Sequence, residues 1–373
     1  MTTWDVIIVG AGQAGSAAAW DLARSGLQVL VLHRPGRRAK PCAGGLTMKT
    51  LQRYRFDIGP VIRERIDTLH VGGSRPGRVA LSAPSLFCVM TERGELDAYC
   101  LEQAREQGAQ VAAVTGLKAV TQNHHGVTVT DSQGRRYAGR YLLAADGANS
   151  SVARLLGLPR HAGAMAIEGL VPRQALSDWP GMTLDFDALP GGYGWLFPKG
   201  DHVNVGLYIW QHRLGGADRP ALDAYCRRTL GCTPDQVAGY PLGTWLPQGR
   251  LSQGRILFVG DAAGCTESLL GEGIYGAVLS GQWAAQALLG PAPAQHYQRA
   301  MQPWREELRQ VNQLSRLFYP LRPVSTRILQ GRLGSTLVEG FARGLTLGQC
   351  KRRWRGAGFS GWQDPVVPDS AVG

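Results

Sequence analysis

The sequence predicts an α/β fold: a Rossmann-like nucleotide-binding unit, a region of mainly antiparallel strands, and helices towards the C-terminal end. Three observations predict it. The run "DVIIVGAGQAGSAAAWDLARSGLQVLVLHR", from residue 5, reads as apolar strand, glycine-rich turn, Ala-rich helix and second apolar strand. The stretch "ILFVGDAAGCTESLLGEGIYGAVLSG", residues 256–281, is again a buried strand running into small residues and a helix. Between them, "HVNVGLYI" at 202–209 alternates with period two, as a strand does.

In the first unit, residues 5–9 form the strand, the helix ends near Gly26, and "VLVL" at 29–32 forms the second strand. Gly10, Gly12 and Gly15 make Gly-x-Gly-x-x-Gly. Gly10 allows the tight turn, Gly12 lets backbone approach a pyrophosphate, and Gly15 lets helix and strand pack closely. The helix N-terminus then faces the diphosphate. The second strand should end in an acidic residue for the adenosine ribose, but His33 and Arg34 stand there. A neutral imidazole can hydrogen-bond a ribose hydroxyl. Arg34 alone would suit a 2′-phosphate and hence NADP.

The bulk properties set limits. The chain has 373 residues, 44% of them hydrophobic, enough for a sizeable core and two domains. No window reaches the roughly 18–20 unbroken apolar residues of a spanning helix. "WDVIIVGAG" reads as folded strand and turn, so no signal peptide is expected. Seven scattered cysteines without a Cys-x-x-Cys pair suggest no metal site and fit a reducing cytoplasm. A formal net charge of +12 admits nucleic acid, an anionic membrane surface or polyanionic ligands. With no reading motif and no aromatic–basic interleaving, no nucleic-acid partner is expected.

Three further stretches carry a resemblance. "TERGELD", residues 91–97, "LLAADGANSSVAR", residues 142–154, and the Gly260-Asp261 stretch resemble motifs of the para-hydroxybenzoate-hydroxylase-like flavoproteins. The resemblance implies FAD as cofactor. It places Arg93 near the flavin or pyrophosphate, where the plain reading is a charge at a helix start. It places Asp146 and Gly147 in a turn beside the cofactor, with Asn149 and Ser150 as helix caps. It gives Asp261, after Gly260, the ribityl chain of the flavin. Gly271, Gly273 and the helix start at Ile274 would aim N–H groups at the flavin N1/O2 edge. The family usually has a proline before this turn, whereas this chain has Glu267-Ser268-Leu269-Leu270. No second Gly-x-Gly-x-x-Gly unit follows, so the expected reductant is transiently bound NAD(P)H or an electron-transfer protein.

Two segments resemble one branch, the geranylgeranyl reductase family. "KPCAGGLT", residues 40–47, is similar to its Pro-Cys-x-Gly-Gly loop. "YGWLFPKGDHVNVGLY", residues 193–208, is similar to its Tyr-x-Trp-x-Phe-Pro signature, with Tyr208 in place of the last glycine. The resemblance implies that Cys42, Ala43 and Gly44 border the flavin, with Cys42 as proton donor or positioning group; the alternative is a small residue in a close-packed loop. It implies that Tyr193, Trp195, Phe197 and Gly206 bind a hydrophobic small-molecule substrate; the alternative is plain sheet core. A hairpin is expected through Lys199-Gly200-Asp201.

The expected organisation is a Rossmann-like FAD-binding domain at 1–69, 90–155 and 250–290. A mainly antiparallel β-sheet substrate domain is inserted at 70–89 and 156–249. A C-terminal helical region follows at 291–358, and then a loose tail at 359–373. The helical region is basic and amphipathic. It reads either as helices packed on the FAD domain or as a surface that docks peripherally on the inner face of an anionic membrane. The expected activity is hydride transfer from flavin N5 to carbon–carbon double bonds of a polyprenyl substrate. The alternative is a monooxygenase of the same fold, acting through a C4a-hydroperoxide on an aromatic molecule or protein side chain.

Overall fold

A computed structural model describes residues 3–35, 40–72, 77–159, 161, 163–210 and 216–354. The tail expected at 359–373 lies outside them.

The first sheet is Rossmann-like. Its parallel strands lie in the order Ile256–Phe258, Arg136–Ala144, Thr3–Val9, Val29–His33 and Gln110–Ala113. Antiparallel strands Val127–Asp131 and Leu117–Gln122 extend it from the Arg136–Ala144 strand. Val6, Ile7, Ile8, Leu30, Val31, Leu142 and Leu143 are buried in one core with Ala18, Ala19 and Leu22 of helix Gln13–Arg24 and with Val120, Val127 and Val129 of the antiparallel strands. Helix Gln13–Arg24 packs against helix Ile274–Leu288, so the first and last motifs of the sequence meet side by side.

The second sheet has seven strands and is antiparallel except for one parallel pair. From one edge they are Asp235–Leu242, Ala164–Pro172, His202–Trp210, Gly192–Pro198, Thr183–Asp185, Thr68–Val71 and Val79–Ser82. The boundary expected between residues 69 and 70 falls inside strand Thr68–Val71, which belongs whole to this sheet. The boundary expected between 89 and 90 falls inside Cys88–Thr91, the central strand of a small third sheet with Gly45–Thr47 and Ile62–Ile66. Both strands are only four residues long, too short for periodicity to assign them to a sheet.

Strand periodicity sorts the second sheet into two faces. Leu196, Val203, Val205, Leu207 and Ile209 face helix Arg219–Leu230 and bury Leu222, Tyr225 and Cys226. Residues of the opposite parity, among them Tyr193, Trp195, Phe197 and Tyr208, face the cofactor side.

Helices Pro293–Phe318, Arg322–Leu329, Arg332–Ala342 and Leu347–Trp354 follow. The first buries Tyr297, Met301, Trp304, Leu308, Val311, Ser315 and Phe318, spaced four and three apart along one stripe. The Tyr297 hydroxyl donates to the Phe258 carbonyl at 2.7 Å, which anchors this helix on the first sheet.

Candidate active site

One cavity of about 1000 Å³ runs between the two sheets. At one end lies the glycine turn. Gly10 has φ +107°, and a Cβ there would stand 2.4 Å from the Ala145 carbonyl oxygen. A Cβ on Gly15 would stand 2.0 Å from the Gly10 carbonyl oxygen. Both glycines are demanded by the chain's own packing, Gly15 where helix and strand pack closely, and Gly15 does not border the cavity. Gly12 differs: the nearest atom to a Cβ would be Arg93 Nη2 at 3.6 Å, ordinary contact. Packing does not require this glycine, and its missing side chain leaves room beside the helix start. That helix start has no side-chain cap and no acidic residue in its first turn. The second helix of the site, Ile274–Leu288, starts the same way at Gly273. Two uncapped helix N-termini on one cavity fit a dianionic dinucleotide such as FAD.

His33 ends its strand half-buried, Arg34 is exposed, and both border the cavity with Glu102 and Arg105. Asp146 borders it too, but its carboxylate is already engaged. It accepts from the Ser150 hydroxyl at 2.6 Å and the Val152 N–H at 3.0 Å. Burial nevertheless pushes the Asp146 carboxyl above its ordinary range. Ser150 caps the helix by accepting from the Ala153 N–H. Asn149, expected as a cap, is exposed.

The Cys42 loop crosses the middle of the cavity. The Cys42 N–H donates to Glu168 Oε1 at 2.7 Å, and the Gly44 N–H donates to Cys42 Sγ at 3.4 Å. Arg93 stands beside the thiol. Its Nε donates to both Asp97 oxygens at 2.9 Å. Burial opposes the guanidinium charge, but the Asp97 carboxylate and the Cys42 sulfur raise its pKa. Gly44 has φ +76°, and a Cβ there would meet the Thr91 carbonyl oxygen at 2.0 Å, so no other residue fits. Glu168 stands half-buried in the cavity wall, and desolvation of its carboxyl raises its pKa above the ordinary range.

At the Gly260-Asp261 turn, Asp261 accepts from Lys40 Nζ and, at 2.7 Å, from the Thr266 hydroxyl. Burial alone would raise this carboxyl; the Lys40 ammonium outweighs it and holds the pKa below the usual range. Glu272 binds Lys49 Nζ at 2.5 Å and the Thr47 hydroxyl at 2.7 Å.

The loop 267–270, where a proline was expected, has its own device. The Glu267 carboxylate accepts from the N–H groups of Leu269 at 2.9 Å, Leu270 at 2.5 Å and Glu272 at 3.2 Å. Three tyrosines take the carbonyls: Tyr208 to Ser268 at 2.8 Å, Tyr319 to Leu269, and Tyr193 to Leu270 at 2.5 Å. The loop's backbone is thereby satisfied from within the chain, and its path towards Gly271 is fixed.

The remaining wall is apolar. Met182, Leu184, Trp195, Phe197, Phe341 and Leu347 line it and belong to one hydrophobic cluster. Trp195 and Gly206 are cross-strand partners, and a Cβ on Gly206 would stand 2.0 Å from the indole. Gly206 therefore makes room for Trp195 and does not itself border the cavity, contrary to its expected place in substrate binding. The indole N–H donates to Asn204 Oδ1 at 2.7 Å, so the ring is locked. The other expected residues, Gly10, Gly12, His33, Arg34, Cys42, Ala43, Gly44, Arg93, Asp146, Gly260, Asp261, Gly271, Gly273, Ile274, Tyr193, Trp195 and Phe197, all border this one cavity. Lys40, Lys49, Glu168, Glu267 and Glu272 were given no side-chain role from the sequence. Single charged residues give no sequence signal for a partner up to 225 positions away, as Thr47 is from Glu272.

Residues 3–180 match the model of an FAD binding domain. A menaquinone reductase of Mycobacterium tuberculosis is 33% identical over 319 residues, 76% of each chain. A digeranylgeranylglycerophospholipid reductase of Methanopyrus kandleri is 29% identical over 348 residues, 84% of this chain and 89% of that one. Among solved structures, a geranylgeranyl bacteriochlorophyll reductase-like protein of Thermoplasma acidophilum has the same fold. It superposes with a TM-score of 0.75 at 21% identity over 94% of this chain and 96% of its own.

Proposed function

This chain belongs to the geranylgeranyl reductase family of FAD-dependent oxidoreductases, and from that premise we propose that it saturates carbon–carbon double bonds in a polyprenyl chain. One observation carries this reading: the cavity that holds the glycine turns continues into an apolar wall of Trp195, Phe197, Met182, Leu184, Phe341 and Leu347. Such a wall suits a long alkene chain and excludes water from it. The relatives include a menaquinone reductase and a digeranylgeranylglycerophospholipid reductase, which supports a prenyl tail on a polar head as the substrate class.

Bound FAD, once reduced by NAD(P)H or a protein donor, supplies a hydride. The protein's own residues do the rest. Gly12 and the two uncapped helix starts would hold the diphosphate and the flavin edge. The locked Trp195 ring and Phe197 hold the alkene chain in place. Cys42 holds the proton that the second alkene carbon receives. The charge left on sulfur is then faced by Arg93 and the Gly44 N–H. Glu168, hydrogen-bonded to the Cys42 backbone, positions the loop that carries the thiol.

The test is product analysis. Reduced, FAD-loaded protein is incubated without oxygen with geranylgeranyl diphosphate, with menaquinone, or with a geranylgeranylated lipid. Two hydrogens gained per reduced bond support the proposal. Unchanged prenyl chains, with oxygen incorporated into another molecule in air, would sink it.

A further inference from the structure

The outer face of the C-terminal helices carries a feature that the chemistry above does not use. Leu314, Leu317, Leu321, Val324 and Ile328 are spaced three, four, three and four apart, and all are exposed, Leu317 to 65%. Backbone bonds from Leu321 N–H to Leu317 and from Ser325 N–H to Leu321 carry the helical path across the break at Tyr319-Pro320. The five side chains thus form one apolar stripe along helices Pro293–Phe318 and Arg322–Leu329. The inner face of the same segment is core: Phe318 and Tyr319 pack in the aromatic cluster of the substrate wall.

The charge around the stripe has one sign. From residue 308 to 338 the sequence contains Arg309, Arg316, Arg322, Arg327 and Arg332 and no Asp or Glu. Arg309 pairs with Glu306, whereas no carboxylate among the described residues pairs with the other four. Arg316 and Arg322 line a second cavity, of about 710 Å³, with Trp210, Tyr319 and Pro320. There Arg322 Nη1 is buried and has no hydrogen-bond partner among the described residues. A buried guanidinium nitrogen without an acceptor fits an oxyanion at this place.

We infer that this face docks on an anionic phospholipid bilayer, with the leucine stripe in the interface and Arg316 and Arg322 on lipid phosphates. A second copy of the chain is disfavoured, because a twofold contact would set arginines against arginines. Among the described residues no helix is long and apolar enough to cross a membrane, so the contact is in-plane. The stripe spans the break between two helices, and each helix presents its inner residues to the protein and its outer ones to the lipid. The inference goes beyond the proposed reaction, and its test does not read activity.

The experiment is co-sedimentation of the full FAD-loaded protein with vesicles of phosphatidylcholine alone and of phosphatidylcholine with phosphatidylglycerol. Binding to the anionic vesicles only, weakened by high salt, is expected. Arg316→Gln with Arg322→Gln, and separately Leu317→Glu with Val324→Glu, should each lower the bound fraction about tenfold while the melting temperature stays unchanged. Equal binding to both vesicles, variants that bind like the parent, or saturable self-association in place of vesicle binding would overturn it.

Discussion

The Cys42 N–H donates to the Glu168 carboxylate at 2.7 Å, a bond across 126 residues that ties the thiol loop to the second sheet. The thiol's position therefore depends on a residue of the opposite domain. Removing the thiol should remove proton delivery and little else. Cys42→Ala should lower prenyl reduction by about 10²- to 10⁴-fold with FAD content unchanged, read by turnover and by flavin absorbance. Glu168→Gln keeps an acceptor for the Cys42 N–H and should retain most activity, whereas Glu168→Ala should lower it. Equal activity in Glu168→Ala and the parent would remove the positioning role.

Gly12 and Gly206 make opposite predictions from the same substitution. At Gly206 a Cβ meets the Trp195 ring at 2.0 Å, so Gly206→Ala should cost about 1–3 kcal/mol, measured by denaturant unfolding of the apoprotein. At Gly12 the chain leaves space, so Gly12→Ala should leave apoprotein stability within about 0.5 kcal/mol and weaken FAD binding. A destabilised Gly12→Ala apoprotein would contradict the assignment of that space to the cofactor.

Lys49 and Glu272 form an ion pair that is almost wholly shielded at lysine. Burial opposes the Lys49 charge, and the Glu272 carboxylate outweighs it, raising the lysine pKa. Lys49→Met strands a carboxylate beside the Gly271–Gly273 turn and should cost about 3–5 kcal/mol. The double variant Lys49→Met with Glu272→Gln should recover part of that loss. No recovery in the double variant would show that the pair is not coupled.

Glu267 gives a pH signature. Burial first, and then the neighbouring Glu272 carboxylate, push it up from 4.5 to about 7 against the three N–H donors that favour its charge. A raised folded pKa means that the folded protein keeps a proton the unfolded chain releases. The stability tied to this group is fully present below pH 4.5 and is lost as pH rises through about 7. The loss is at most roughly 3 kcal/mol. Glu267→Gln should flatten the melting-temperature profile across this window; a profile that keeps the parent's slope would assign the slope to other groups.

Much of this was legible in the sequence, and the reason is local. The glycine turns at Gly10–Gly15 and Gly271–Gly273 and the alternation at 193–208 are written in consecutive residues, because turns and strands are consecutive. The Tyr193, Trp195 and Phe197 side of the hairpin follows from parity alone. What escaped is non-local. The Glu267 cage and the Tyr193, Tyr208 and Tyr319 clamps join a loop to three separate elements, and nothing in "TESLLG" indicates them. Gly206 was misread because a cavity glycine and a glycine under a cross-strand indole look alike until the register is known. The C-terminal helices pack inward, with Phe341 and Leu347 reaching the cavity, while the Leu314–Ile328 stripe on which the docking proposal rests faces outward.

The most direct measurement is rapid mixing of anaerobically reduced, FAD-loaded protein with geranylgeranyl diphosphate while flavin absorbance is followed. The account predicts prenyl-dependent flavin reoxidation in the absence of oxygen, slowed by about 10²-fold or more in Cys42→Ala. Flavin that stays reduced with every prenyl compound offered, yet reoxidises when air is admitted and oxygenates another molecule, would contradict it.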